Sequence, residues 1–214
     1  MNLNKFKHFY KNKYLISNFK SKKYHLSYNY KYKCLWFRNY KVASRSIDQH
    51  FRDNTPEKQY IYSSNVGYCP SNFKNWYKFS FVREPQDRFI SSWKDKVLNQ
   101  NYYNLDLKLY EDLKELSNFI SWVEDIKINN INKLDEHLKP QHDLIDLNNI
   151  DFLGRFETFD EDFHKLALIL NMPVERVHFK NTTKKDIIIV DNKSSERIKE
   201  LYKLDYDIFY PNNR

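Results

Sequence analysis

Two short apolar runs in this chain end abruptly in positive charge. Cys34-Leu35-Trp36-Phe37 breaks into Arg38-Asn39-Tyr40-Lys41, and Lys78-Phe79-Ser80-Phe81-Val82 breaks into Arg83. Each is followed by apolar residues at helical spacing: Ile47 and Phe51 after the first, Phe89, Trp93 and Val97 after the second. A short apolar run bounded in this way reads as a buried strand, and apolar residues every three or four positions read as the inner face of a helix. Strand, charged loop, helix, twice over, directs the chain toward a layered α/β architecture.

The remaining segments fit that plan. Gln59–Ser63 alternates weakly as a second strand, and Asp151–Phe156 reads as another. Ser44 can cap a helix running to about Asp53. Leu109, Leu113, Leu116, Ile120 and Val123 mark one amphipathic helix, and the last helix is expected from about Ser194 to Leu204. Thr158 with Glu161 three residues on forms a capping box ahead of Phe159, Phe163, Leu166 and Leu170. The expected fold is α/β with three layers: a mainly parallel central sheet flanked by helices. Ligands of such sheets bind beyond the carboxyl ends of the strands.

The 214 residues suit one domain with an arm. Residues 1–33 hold nine lysines and no acid, which leaves 27 basic residues against 28 acidic ones in the rest. We therefore expect a basic N-terminal arm over 1–32 and a nearly neutral domain over 33–214. The arm suits an anionic membrane surface, a polyanionic glycan or nucleic acid, and equally reads as a solvated, partly ordered leader. With two glycines in the whole chain, left-handed turns must fall mostly to Asn and Asp. Cys34 and Cys69 make no disulfide framework and no zinc spacing, so no metal is expected. The absence of a long apolar stretch or a signal-peptide core points to a cytoplasmic protein, with peripheral membrane association through the arm. The sequon Asn181-Thr182-Thr183 then reads as chance.

The chemistry is expected in the two charged loops. Lys41-Val42-Ala43-Ser44-Arg45-Ser46 joins a strand to a Ser-rich helix start, a P-loop-like arrangement in which exposed N–H groups and the helix dipole attract an anion. It is not a Walker A loop, because the glycines are missing. By itself the segment fits an exposed Lys/Arg turn equally well. In the second loop Arg83 stands at the strand end, where an NTP-hydrolysing fold would place an acid for Mg²⁺. A guanidinium suits a phosphate instead, and Ser91 lies two turns into the following helix. The alternative is a structural arginine paired with Glu84 or Asp87.

These segments resemble the carbohydrate sulfotransferases of the Golgi-type family, in the branch of the chondroitin 4-O- and HNK-1 sulfotransferases. Lys41–Ser46 resembles the loop that holds the 5′-phosphosulfate. Phe81-Val82-Arg83-Glu84-Pro85 through Arg88 and Ser91 resembles the 3′-phosphate motif. Glu136-His137-Leu138-Lys139-Pro140 is similar to a His-Trp-x-Pro segment with Leu138 in place of Trp. Gly154-Arg155-Phe156-Glu157-Thr158 and Leu201-Tyr202-Lys203-Leu204-Asp205-Tyr206 resemble two further stretches, in the same order. The chain departs from the family in lacking its membrane anchor and luminal cysteines, and in carrying Arg45 within the first loop.

The resemblance implies transfer of a sulfuryl group from 3′-phosphoadenosine-5′-phosphosulfate (PAPS) to a hydroxyl of a glycan or glycoconjugate, releasing adenosine 3′,5′-bisphosphate without a metal. It implies Lys41, Val42, Ala43, Ser44, Arg45 and Ser46 at the phosphosulfate, Arg83 and Ser91 at the 3′-phosphate, and Lys41 at the leaving oxygen. His137 is the expected general base, with a role in orienting the acceptor as the alternative, and Glu57 and His50 as fallbacks. Nucleic acid is not the expected partner. Two other functions stay open: a nucleic-acid- or membrane-binding module on a degenerate nucleotide fold, and a P-loop kinase.

Overall fold

The computed structural model describes residues 7–20, 22–130, 133–174 and 188–212. The sequon at 181–183 and His178 lie outside the described residues. The chain's contacts group into two compact units. The first comprises Met1–Val82 with Gln141–Asn181, the second Arg83–Pro140 with Thr182–Arg214.

The first unit is built on five strands: β1 (Tyr24–Asn29), β2 (Cys34–Phe37), β3 (Tyr60–Val66), β4 (Tyr77–Val82) and β5 (Phe152–Arg155). Their order is β3-β1-β2-β4-β5. β2–β4 and β4–β5 are parallel, whereas β1–β2 and β1–β3 are antiparallel. The sheet is therefore mixed rather than mainly parallel. The difference comes from β1, an inner strand made of residues expected to lie in the basic arm. Its Tyr24, Leu26 and Tyr28 alternate with His25 and Ser27, so one face is apolar. Leu26 and Tyr28 stand opposite Phe37 and Leu35 on that face, and Ser27 opposite Trp36 on the other. A tight turn with Lys33 at φ 48° links β1 to β2, a hairpin that needs no crossover helix.

One sheet face is covered by α3 (Ser44–Asp53) and α8 (Phe159–Ile169). Ile47 and Phe51 of α3 and Phe159, Phe163 and Leu166 of α8 pack with Trp36, Phe79 and Phe81 in one buried cluster. The rings of Trp36 and Phe51 stack on Phe79 at 6.0 and 5.6 Å. On the other face Phe37 meets the ring edges of Tyr24 and Tyr68. A helical run made of α1 (Lys7–Tyr10), a π-helical stretch Lys11–Ile16 and α2 (Ser17–Phe19) lies against β1 there, with Asn12 Nδ2 donating to the Tyr28 hydroxyl. The short α7 (Gln141–Leu144) completes the unit.

Both glycines serve close approach, and neither takes a positive φ. A Cβ on Gly154 would lie 2.3 Å from the Phe81 ring, and one on Gly67 2.8 Å from the Cα of Ser17. Left-handed backbone falls to Asn65, Asn104 and Asn171, as expected, but also to Lys33, Lys41 and Ala43.

The second unit is helical among its described residues: α4 (Pro85–Trp93) running into a π-helical stretch Lys94–Leu98, α5 (Leu107–Asp112), α6 (Leu116–Asn130), α9 (Asn192–Leu201) and α10 (Lys203–Phe209). The helix expected over 109–123 is two, and so is the last one. Phe89 packs against Phe119 and Tyr202 at 5.2 and 6.0 Å between ring centroids. The capping box at Thr158 is also rewired. Thr158 Oγ1 accepts no helix N–H and donates instead to Asp162, whose Oδ2 accepts the Arg155 N–H as well. Those donors hold the Asp162 carboxyl below its ordinary value although burial alone would raise it.

Candidate functional site

The loop from Arg38 to Ser46 leaves the carboxyl end of β2 and is fixed at its start. Asn39 is fully buried, and its Nδ2 donates to the Phe81 carbonyl at 3.2 Å and to Gln141 Oε1 at 2.8 Å. Its Oδ1 accepts the Tyr40 N–H at 2.9 Å. Arg38 is committed elsewhere: it pairs with Asp48 of α3, donates to Ser27 Oγ, and lies over the rings of Trp36 and Tyr62. Burial lowers the pKa of this guanidinium, against the opposing pull of Tyr60, Tyr62 and Tyr40.

After these anchors the backbone turns through two left-handed residues that are not glycine, Lys41 at φ 67° and Ala43 at φ 60°. Each such residue costs on the order of 1–2 kcal/mol, so the surroundings must enforce it. Val42 makes that possible by burying its side chain completely in the core between them. Ala43 is the N-cap of α3, whereas Ser44, expected as the cap, is the first helical residue. The helix start has no side-chain cap hydrogen bond and no acid in its first turn. Ser46 is buried and Arg45 exposed. An acid-free helix start without a side-chain cap, beside a lysine, is an arrangement that attracts anions.

The second loop is built differently. Arg83 follows β4 directly, is half-buried, and has its Nε in the interior. Glu84 is the N-cap of α4: its carboxylate accepts the Asp87 N–H at 2.6 Å and also the Tyr206 hydroxyl. Ser91 lies half-buried on the same helix.

Arg88, part of the same sequence motif, has a structural task. It is buried, and its guanidinium donates to the carbonyls of Lys139 at 2.9 Å and Glu136 at 3.2 Å. Ser92 Oγ donates to the His137 carbonyl at 3.0 Å, and the Tyr202 hydroxyl to that of Leu138 at 2.7 Å. Four consecutive carbonyls are thus held by three side chains, and this strap fixes His137. The His137 ring meets Asp135 Oδ1 through Nδ1 at 2.7 Å, its own N–H donates to the same oxygen at 2.9 Å, and the Tyr102 ring closes on it edge-to-face at 5.7 Å. Burial would raise the Asp135 carboxyl, but the hydrogen bonds and charge of His137, with Lys96, bring it below the ordinary value. Such a carboxylate fixes the orientation of its histidine. Ligand-type atoms of Asp135, Glu136 and His137 lie within 4.8 Å of one another, a grouping the sequence reading did not expect.

A family model described as sulfotransferase family matches residues 17–211. The chain belongs to the sulfotransferase family. No curated protein and no solved structure matches it.

In this sulfotransferase the sequence-derived residues separate by unit. Lys41, Val42, Ala43, Ser44, Arg45 and Ser46 share one turn in the first unit, while Arg83, Ser91 and His137 belong to the second. Both fallback bases are corrected. His50 is a buried residue of α3 with its ring edge-on to Phe163 at 5.0 Å. Glu57 precedes β3, and the pairing of Asn29 with both Tyr60 and Cys34 places it at the sheet edge where β2 begins, opposite to the anion loop. A further cluster was missed. His25 Nδ1 lies 3.1 Å from the Tyr40 hydroxyl and 3.2 Å from that of Tyr62, and the two hydroxyls are 3.1 Å apart. His25 is the second residue of β1, which runs antiparallel to β2, so recognising that strand would have placed this histidine beside the loop. Among the described residues no helix is long and apolar enough to cross a membrane.

Proposed function

We propose that this sulfotransferase uses PAPS and transfers the sulfuryl group to a carbohydrate hydroxyl, on a P-loop-like fold of the chondroitin 4-O-/HNK-1 branch. The observation that carries this reading is the turn Lys41–Ser46: left-handed backbone at Lys41 and Ala43 opening into a helix start with no side-chain cap and no acid. That site suits a phosphosulfate, because backbone N–H groups and the dipole supply fixed positive potential.

PAPS supplies an activated sulfuryl group on a phosphate leaving group. Lys41 and the loop N–H groups, with Ser44, Arg45 and Ser46 in the same turn, hold the end where charge develops on the leaving oxygen. Arg83 and Ser91 take the 3′-phosphate, since a guanidinium fork matches phosphate oxygens. His137, held by Asp135, removes the acceptor proton. The acceptor is a glycan or glycoconjugate, the class on which the branch acts.

The deciding measurement is a thermal shift with adenosine 3′,5′-bisphosphate against ATP with Mg²⁺. At 100 times Kd a ligand adds about 2.7 kcal/mol, which for a chain of this size raises Tm by several degrees at about 2–4 °C per kcal/mol. A shift with ATP and Mg²⁺ but none with the bisphosphate favours a kinase and removes the proposal. For His137, the Asn variant should lose about 10²–10⁴-fold in kcat and with it the acid limb of the pH–rate profile. An unaltered profile takes His137 out of proton transfer.

A further inference from the structure

We propose that the N-terminal helical run docks the protein onto an anionic lipid bilayer. It is independent of the donor nucleotide and rests on what the run buries and what it leaves out. No Asp or Glu precedes Asp48, while lysines stand at 5, 7, 11, 13, 20, 22 and 23.

The inner side is pinned to the sheet. Asn12 is fully buried and donates to the Tyr28 hydroxyl at 3.2 Å, and the Phe9 N–H donates to the Tyr30 hydroxyl at 3.2 Å. The Gly67 N–H donates to Ser17 Oγ at 2.6 Å, an approach that only a residue without a Cβ permits. A segment held at three points cannot roll its apolar side chains inward.

The outer side stays in water. Tyr14 is 57% exposed, Leu15 59% and Phe19 87%, with Tyr10 at 41%. Exposed Lys11, Lys13 and Lys20 lie among them, and Lys13 Nζ rests 5.6 and 5.3 Å from the rings of Phe9 and Tyr14. Single exposed apolar residues are ordinary, but four within ten residues on a pinned, acid-free run have the composition of an interfacial helix.

The chemistry selects the occupant. A phosphodiester polymer would use the lysines but leave Leu15 and Phe19 in water. A second copy would bury the apolar side chains but bring lysine against lysine. A bilayer with anionic headgroups satisfies both, the rings and Leu15 entering the acyl boundary and the lysines remaining at the headgroups.

The test is co-sedimentation of the full chain with phosphatidylcholine vesicles, with and without phosphatidylserine, at low and raised salt. Binding should strengthen at least about tenfold with phosphatidylserine and fall with salt. Leu15→Ser with Phe19→Ser should weaken it about tenfold or more, and Lys11→Gln with Lys13→Gln should remove most of the phosphatidylserine dependence. Both pairs are exposed, so Tm should hold; if one pair misfolds, the other carries the test. Equal binding to both vesicle types overturns the proposal, and so does retained binding in the Ser pair. A dimer abolished by the Ser pair would assign the surface to a second copy instead. Tight binding of a single-stranded oligonucleotide that outcompetes vesicles would assign it to nucleic acid.

Discussion

The entrances to α3 and α4 both follow a strand of the same sheet in sequence, and they treat negative charge in opposite ways. At α3 the helix start is left open: Ala43 in the left-handed region, no side-chain cap, no acid in the first turn, Lys41 just ahead and Arg45 just inside. At α4 the helix supplies its own anion. Glu84 caps it, Pro85 brings no N–H, and Asp87 adds a second carboxylate to the first turn. The dipole of α4 is therefore answered from within, and that of α3 is available to a ligand. The lesson is that the two helix entrances differ in kind: the α3 start carries no carboxylate of its own, whereas the α4 start is capped by one.

The largest effect that would sharpen this contrast is expected at Lys41. Lys41→Ala should lower kcat by about 10²–10³-fold, the usual consequence of losing one donor at a developing charge. Nucleotide affinity should change less, because the backbone donors of the turn survive the substitution. Steady-state turnover of PAPS, beside calorimetric binding of the bisphosphate, separates the two. A variant that binds weakly but turns over normally would make Lys41 an ordinary binding residue.

Next in size is Arg83→Ala. Removing the guanidinium should weaken adenosine 3′,5′-bisphosphate by about 1.5–3 kcal/mol. Adenosine 5′-monophosphate should be unaffected. Equal losses for the two nucleotides would show that Arg83 does not read the 3′-phosphate, and the contrast between the entrances would lose its functional meaning.

Much of this was legible in the residues. β2 and β4 end where their apolar runs end, and α3 spans Ser44–Asp53 as its spacing requires. What escaped was set by context. β1 carries the alternation Tyr24, Leu26, Tyr28, but the lysines around it made the stretch resemble a solvated arm. Missing it hid both the antiparallel half of the sheet and the placement of His25. The anion loop was visible as a charged turn, but not its conformation. Left-handed backbone at Lys41 and Ala43 is imposed by tertiary packing, the burial of Val42 and Asn39, which no local propensity encodes. The roles of Arg88, Ser92 and Tyr202 as holders of the His137 strap depend on contacts between residues as much as 64 positions apart. The division into two units cuts the sequence after Val82, Pro140 and Asn181, and the first two cuts fall in no Gly- or Ser-rich linker.

The smallest effect concerns the backbone itself. If the α3 entrance is strained for the sake of its N–H groups, Ala43→Gly should relieve the strain. Removing the Cβ from a left-handed residue recovers about 1–2 kcal/mol, and the greater freedom of glycine in the unfolded chain takes back about 0.5–1. The lost methyl contact with the core takes back a few tenths more. The net is a stabilisation of up to ~1 kcal/mol, read as a Tm higher by at most about 2–4 °C. Ala43→Val should go the other way, since a β-branched side chain is a genuine outlier at positive φ. A glycine variant that loses more than about 0.5 kcal/mol would mean that the turn is not strained and that its shape is the relaxed state of the sequence. The open helix start would then be a feature of packing, with no cost set aside for an anion.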